Sequence, residues 1–126
     1  MRIIKISVSG IEAFAELCDT DTAREIYKSL PFEGNVSRWG DEIYFSIPVY
    51  LAKEKDARSE VKIREIGYWP PGNAFCIFFG KTPASRRDEA RAYSPVNIFG
   101  KLEGNPKIFK KIKQGERVKV EKYQEV

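Results

Sequence analysis

The stretch Gly67-Tyr68-Trp69-Pro70-Pro71-Gly72-Asn73-Ala74-Phe75-Cys76-Ile77-Phe78-Phe79-Gly80 decides how this chain is read. Two successive prolines remove two backbone donors and Gly72 then permits a tight turn, so the chain reverses between residues 69 and 73. The run that precedes this turn, Val61 to Tyr68, is predicted as a strand. The run that follows it, Ala74 to Phe79, is apolar at every position instead of alternating. A strand of that kind is covered on both faces, by the barrel interior on one side and by a helix, loop or ligand on the other. It is predicted as the central strand.

Working outward toward the amino terminus, Glu42 to Pro48 alternates, with Ile43, Phe45 and Ile47 on one face and Glu42, Tyr44 and Ser46 on the other. Gly34 to Trp39 is its hairpin partner across Gly40-Asp41. Thr22 and Glu25 have capping-box spacing, Ala23, Ile26, Tyr27 and Leu30 form one apolar stripe, and Pro31 ends the helix they define. Before it, Arg2 to Val8 and Ile11 to Leu17 alternate around Gly10 as a hairpin. The charged segment Ala52 to Lys62 reads as a surface loop. Toward the carboxyl terminus, Gly80 to Tyr93 reads as a long loop with at most one helical turn. Ser94-Pro95 opens a strand over Val96 to Leu102, a helical turn suits Pro106 to Lys113, and Val118 and Val120 mark the last strand. Short strands with a turn every 8 to 12 residues or so, and no repeat or linker, predict one mostly β domain over residues 1–126, closed as a β-barrel with one short α-helix after the second strand.

A chain of 126 residues, 42% hydrophobic and 32% charged, buries a real core without metal or disulfide support. Its apolar runs are far shorter than the roughly 20 residues of a membrane helix, and the amino terminus lacks the apolar stretch of a secretory signal. No membrane association and a cytoplasmic location are expected. Cys18 and Cys76 lack metal-ligand spacing and there is no histidine to join them, so no metal is expected. They read as two buried thiols, with a mutual disulfide as the alternative. Two Gln among many Lys and Glu suit a heat-stable protein from a thermophile. Residues 1–100 carry 14 basic and 14 acidic side chains and residues 101–126 carry 8 and 4, so the net charge of +4 lies in the tail. Lys107, Lys110, Lys111 and Lys113 are placed to touch phosphate, but the interleaved Glu favour a solvated surface over a nucleic-acid footprint.

Most chemistry-bearing patterns are missing. Without histidine there is no Ser-His-Asp triad and no imidazole base. No GxxxxGK[ST] or GxGxxG occurs, so no nucleotide cofactor is expected. Asp41-Glu42 and Asp88-Glu89 are adjacent pairs that point to opposite sides of a strand, and read as surface charges. What stands out is a density of aromatics and prolines: Trp39, Tyr44, Tyr68, Trp69, Pro70, Pro71, Phe75, Phe78, Phe79, Pro83 and Pro95. With Arg38, Asn73, Thr82, Ser85, Ser94 and Asn97 they suit an apolar groove for a peptide or small organic ligand. A barrel of this size also needs large side chains to fill itself, and an exposed aromatic patch equally suits a homodimer seam.

The hairpin followed by Cys18-Asp19-Thr20-Asp21-Thr22-Ala23 and a helix ending at Leu30 resembles the opening of the cyclophilins, the peptidyl-prolyl isomerases. A closer likeness, nearly end to end, is to the small stand-alone cyclophilin-like proteins of prokaryotes. It is carried by Arg38-Trp39-Gly40-Asp41-Glu42-Ile43-Tyr44-Phe45, by Gly67 to Ser85, and by Ser94-Pro95-Val96-Asn97. The resemblance implies an eight-stranded cyclophilin-type barrel in a family of poorly defined role. Cyclophilins use an arginine to hydrogen-bond the twisted prolyl amide, lowering a barrier of roughly 18–20 kcal/mol. By order along the chain Arg38 corresponds to that arginine, while the Pro-Gly-Phe-Met and Gln-Gly-Gly elements and the pocket histidine are absent. The expected site therefore comprises Trp39, Tyr44, Tyr68, Trp69, Asn73, Phe75, Phe79, Pro83, Ser94 and Asn97 at a ligand, with Arg38 as the catalytic residue if the isomerase alternative holds.

Overall fold

The structure is a computed structural model and describes residues 1–125. Strands β1 (Arg2–Val8) and β2 (Ile11–Leu17) form the expected hairpin, turning at Ser9 and Gly10, both with positive φ. Helix α1 (Asp21–Ser29) follows and buries the Ala23, Ile26, Tyr27 and Leu30 stripe. Its N-cap is Thr20, which accepts from Ala23 N–H at 3.1 Å. The predicted cap, Thr22, is the second residue of the helix, where its hydroxyl is drawn away to Glu54 and Asn97.

Next come β3 (Phe32–Asn35), β4 (Ser37–Arg38), β5 (Glu42–Ser46), β6 (Arg58–Val61) and β7 (Glu65–Trp69). A 3-10 turn over Pro70–Gly72 leads into β8 (Ala74–Phe78), then β9 (Ala90–Leu102), a second 3-10 turn over Pro106–Lys111, and β10 (Arg117–Glu125). The sheet runs β3-β10-β1-β2-β9-β7-β8-β5-β4, with β6 paired to β9 off this path.

The fold is mostly β with one short helix, as expected, but the described residues form ten strands in place of eight, and among them the ladder is not closed by hydrogen bonds. Both differences have local causes. The predicted strand over residues 34–39 is broken at Val36, so β3 pairs with β10 while β4 pairs with β5. The two edges of the sheet are therefore consecutive pieces of one chain. At the break, Val36 N–H donates to Glu116 O and Val36 O accepts from Gly115 N–H. The strand count also rises because part of the expected loops is strand, with β6 inside the segment expected as loop over residues 52–62. β9 begins at Ala90, because the charges of Arg91 are met across the ladder by Glu60 and beside it by Glu89, which leaves Ala90 and Ala92 free to bury.

Two apolar clusters result. The larger fills the barrel and holds Ile4, Ile6, Ile43, Phe45, Ile66, Tyr68, Phe75, Ile77, Phe79 and Phe99 among others. The smaller lies on the opposite face of β8, where Ala74, Cys76 and Phe78 meet Val61, Ala90, Ala92 and Val96 from β6 and β9. β8 is thus buried on both faces, and each large side chain so placed contributes about 1.5–3 kcal/mol. The expectation of two buried thiols holds for Cys76 alone. Cys18 sits just past β2, exposed, and the two are not bonded.

Candidate functional site: an aromatic slot over a buried glutamate

The alternation of β5 sends Ile43 and Phe45 into the barrel and Glu42 and Tyr44 to the outer face. There Tyr44 stands opposite Cys76 and Glu42 opposite Phe78. Trp69, at the end of β7, is held by a 2.6 Å hydrogen bond from its indole N–H to Ser94 Oγ. Gly72 lies flat beneath it, since a Cβ there would come within 2.8 Å of the indole. Trp39 is set by the turn between β4 and β5, its N–H donating to Glu42 O at 2.9 Å. That turn needs Gly40, which has φ +62° and approaches Lys81 O too closely for a side chain. Tyr93 on β9 stands between the two indoles, edge-on to Trp39 and to Trp69 with both centroids 6.1 Å away.

These residues enclose a cavity of about 190 Å³ lined by Trp39, Glu42, Tyr44, Trp69, Cys76, Ala92, Tyr93 and Val96. Its rim is open, with Tyr93 76% exposed, whereas its floor is closed, with Glu42 only 5% exposed. Among the described residues no Lys or Arg pairs with Glu42. Burial pushes its carboxyl up to about 8, opposed by a hydrogen bond with the Cys76 thiol. The Cys76 thiol is itself raised well above its ordinary value by burial and by Glu42. At neutral pH the floor is therefore a protonated carboxyl beside a protonated thiol. Such a floor can donate or accept a hydrogen bond, and it provides no thiolate nucleophile.

Of the residues expected at a ligand, Trp39, Tyr44 and Trp69 line the slot, and Ser94 braces it through Trp69. Ser94 also borders a wider, shallow depression with Lys53, Pro70, Pro71 and Pro95. The others are placed elsewhere. Tyr68 and Phe75 fall on the interior face of their strands, and with Phe79, just past β8, they belong to the barrel core. Tyr68 O–H donates to Val49 O at 2.6 Å and accepts from Leu51 N–H at 3.1 Å. Asn97 is a buried hub, donating to Thr22 Oγ1 at 3.2 Å and Ala52 O at 3.1 Å and accepting from Glu54 N–H at 2.8 Å. Asn73 takes the left-handed position after the 3-10 turn and donates to Ile47 O. Pro83 is an exposed residue packed near Gly40.

Arg38 is outside the slot lining. Its guanidinium donates to Gly40 O at 2.6 Å, Lys110 O at 3.0 Å, Ile112 O at 2.8 Å and Asp41 Oδ1 at 2.9 Å, and it lies 5.0 Å from the Phe79 ring centroid. Sequence reasoning missed Glu42, Cys76 and Tyr93. The signal for Glu42 was its period-two match with Tyr44. Tyr93 carried no comparable signal, standing in a run too charged to read as strand.

No match is found among curated proteins. Two solved structures are similar over nearly the whole chain. The solution structure of the hypothetical protein AF2241 from Archaeoglobus fulgidus is 35% identical, covers 97% of this chain and 95% of its own, and superposes with a TM-score of 0.82. McbB, solved in complex with tryptophan, is 15% identical and shares the fold, with a TM-score of 0.74 over 98% of this chain and 45% of its own. A profile of the family described as Cyclophilin-like matches residues 2–121. A barrel whose β8 is sandwiched between the core and an outer aromatic slot, matched from end to end in this way, makes the chain a member of the cyclophilin-like family.

Proposed function

We propose that this domain binds a peptide or small organic ligand by seating one ring-sized apolar group in the slot, with Glu42 meeting its polar end. The observation that carries the reading is the pairing of an open rim of aromatic rings with a floor carboxyl that is buried without a counter-charge. Burying a carboxyl in this way costs free energy that packing does not return, since an apolar side chain would fill the space better. A bound polar group would offset that cost. A cavity of about 190 Å³ is smaller than the roughly 300–1,000 Å³ of drug-sized sites, so it suits one side chain or ring of a ligand.

Nothing in the geometry favours the isomerase alternative over binding, since most of the Arg38 donors are engaged by backbone oxygens and Asp41. Titration of Xaa-Pro peptides and ring-bearing small molecules against the fluorescence of Trp39 and Trp69, beside a prolyl-isomerisation assay, tests the reading. Saturable quenching that is lost in Tyr93→Ala supports it. Rate acceleration that disappears in Arg38→Ala would replace it with the isomerase.

A further inference from the structure

Resting on that reading of the slot, we infer that its ligand carries an organic ammonium group, seated among the faces and edges of Trp39, Tyr44, Trp69 and Tyr93 above the Glu42 carboxylate. Four aromatic residues converge on one small space, and aromatic rings of this kind attract cations through their negative faces. The floor supplies an acid, whereas no Lys or Arg lines the cavity. A neutral ligand would need only the rings. A cation explains the rings and the acid together, because it provides the charge that Glu42 lacks.

The surrounding groups leave Glu42 to this role. The other titratable groups facing the cavity are Tyr44 on β5, Cys76 on β8 and Tyr93 on β9. Of the charged groups on the adjoining segments, Arg38 and Lys110 pair with Asp41, Arg91 with Glu60 and Glu89, Arg58 with Glu65 and Lys81 with Asp88, while Arg64 and Lys62 are not among the residues that line the cavity. Binding of a cation draws Glu42 into its ionised form and releases one proton to solvent. For a quaternary ammonium, which has no proton of its own to lose, affinity therefore rises with pH until Glu42 is ionised in the free protein as well.

Choline and its neutral isostere 3,3-dimethylbutan-1-ol, titrated by tryptophan fluorescence from pH 6 to pH 9, test the inference on the intact chain. A peptide carrying trimethyl-lysine serves as a third probe and separates a free ligand from a protein side chain as the source of the ammonium. The expected result is that a quaternary probe binds at least tenfold tighter than the isostere at pH 9. Its affinity should rise at least tenfold from pH 6, and Glu42→Gln, shown to be folded by its thermal transition, should remove the preference. Equal, saturable binding of probe and isostere at every pH would overturn the ammonium assignment and leave the slot as a ligand site. No binding of any probe, with ring-bearing neutral compounds also failing, would overturn both.

Discussion

Glu42 and Cys76 lie diagonally across the β5–β8 ladder on its outer face, and the thiol meets the carboxyl beneath the aromatic slot. Neither group has a charged partner, and burial holds both in their protonated forms; Glu42 adds to the rise of the thiol, whereas the thiol works against the rise of the carboxyl. This pair is the polar feature of an otherwise apolar second core.

The first consequence concerns stability. The Glu42 carboxyl lies at about 8 in the fold against an ordinary 4.5, so between these values the native state holds a proton that the unfolded chain releases. Stability from this group is fully present below pH 4.5, falls as pH rises toward 8, and is level above it. The whole loss is on the order of 5 kcal/mol for a gap of this size. Chemical denaturation of the wild type should show a falling midpoint across this window. Glu42→Gln should flatten it and be the more stable protein at pH 9.

Arg38 is expected to act as a clamp. It ties the turn after β4 to the end of the second 3-10 turn through Lys110 O and Ile112 O. Arg38→Ala should lower stability by about 1.5–3 kcal/mol, the range for hydrogen bonds to a charged group, as measured by urea unfolding. Ligand affinity at the slot should change little in the folded fraction.

Asn97 joins β9 to α1 and to the segment around Ala52 and Glu54, and its amide has no apolar substitute. Asn97→Ala leaves the Glu54 N–H and Ala52 O, and the buried Thr22 hydroxyl, without this partner and should cost about 1–3 kcal/mol. Faster hydrogen exchange at Glu54 N–H would locate the damage.

The two cysteines should differ in reactivity. Cys18 is exposed and Cys76 is buried with its thiol pushed well up. A bulky aromatic disulfide reagent should modify one thiol per native chain and two after unfolding. Cys18→Ser should leave the native chain unreactive.

The fold was legible where one residue pattern had one reading. The unbroken apolar run over Ala74 to Phe79 marked a strand covered on both sides, and the alternation of β5 placed Tyr44 on the outer face. Trp39, Tyr44 and Trp69 were legible through the density of aromatics, the same signal that drew in residues of the core. What escaped depended on partners distant in sequence. Asp41-Glu42 read as surface charge because local pattern cannot show that β9 folds over Glu42. Ala90 to Tyr93 read as loop because the partner of Arg91 is Glu60. Thr22 read as a cap because Glu54 is 32 residues away. Tyr68, Phe75 and Phe79 were placed at the ligand because aromatic density does not distinguish the two faces of a strand.

The central claim, that the slot over Glu42 is where this domain binds, is tested most directly by nuclear magnetic resonance of the two indole N–H signals. Trp39 and Trp69 both line the slot and both meet the Tyr93 ring edge-on, and a panel of ring-sized fragments with and without an amine can be titrated against both at once. Both signals should shift together and saturate, along with the amides of Ala92 and Tyr93. Fragments that bind while these four signals stay still, or a panel that moves none of them, would contradict it.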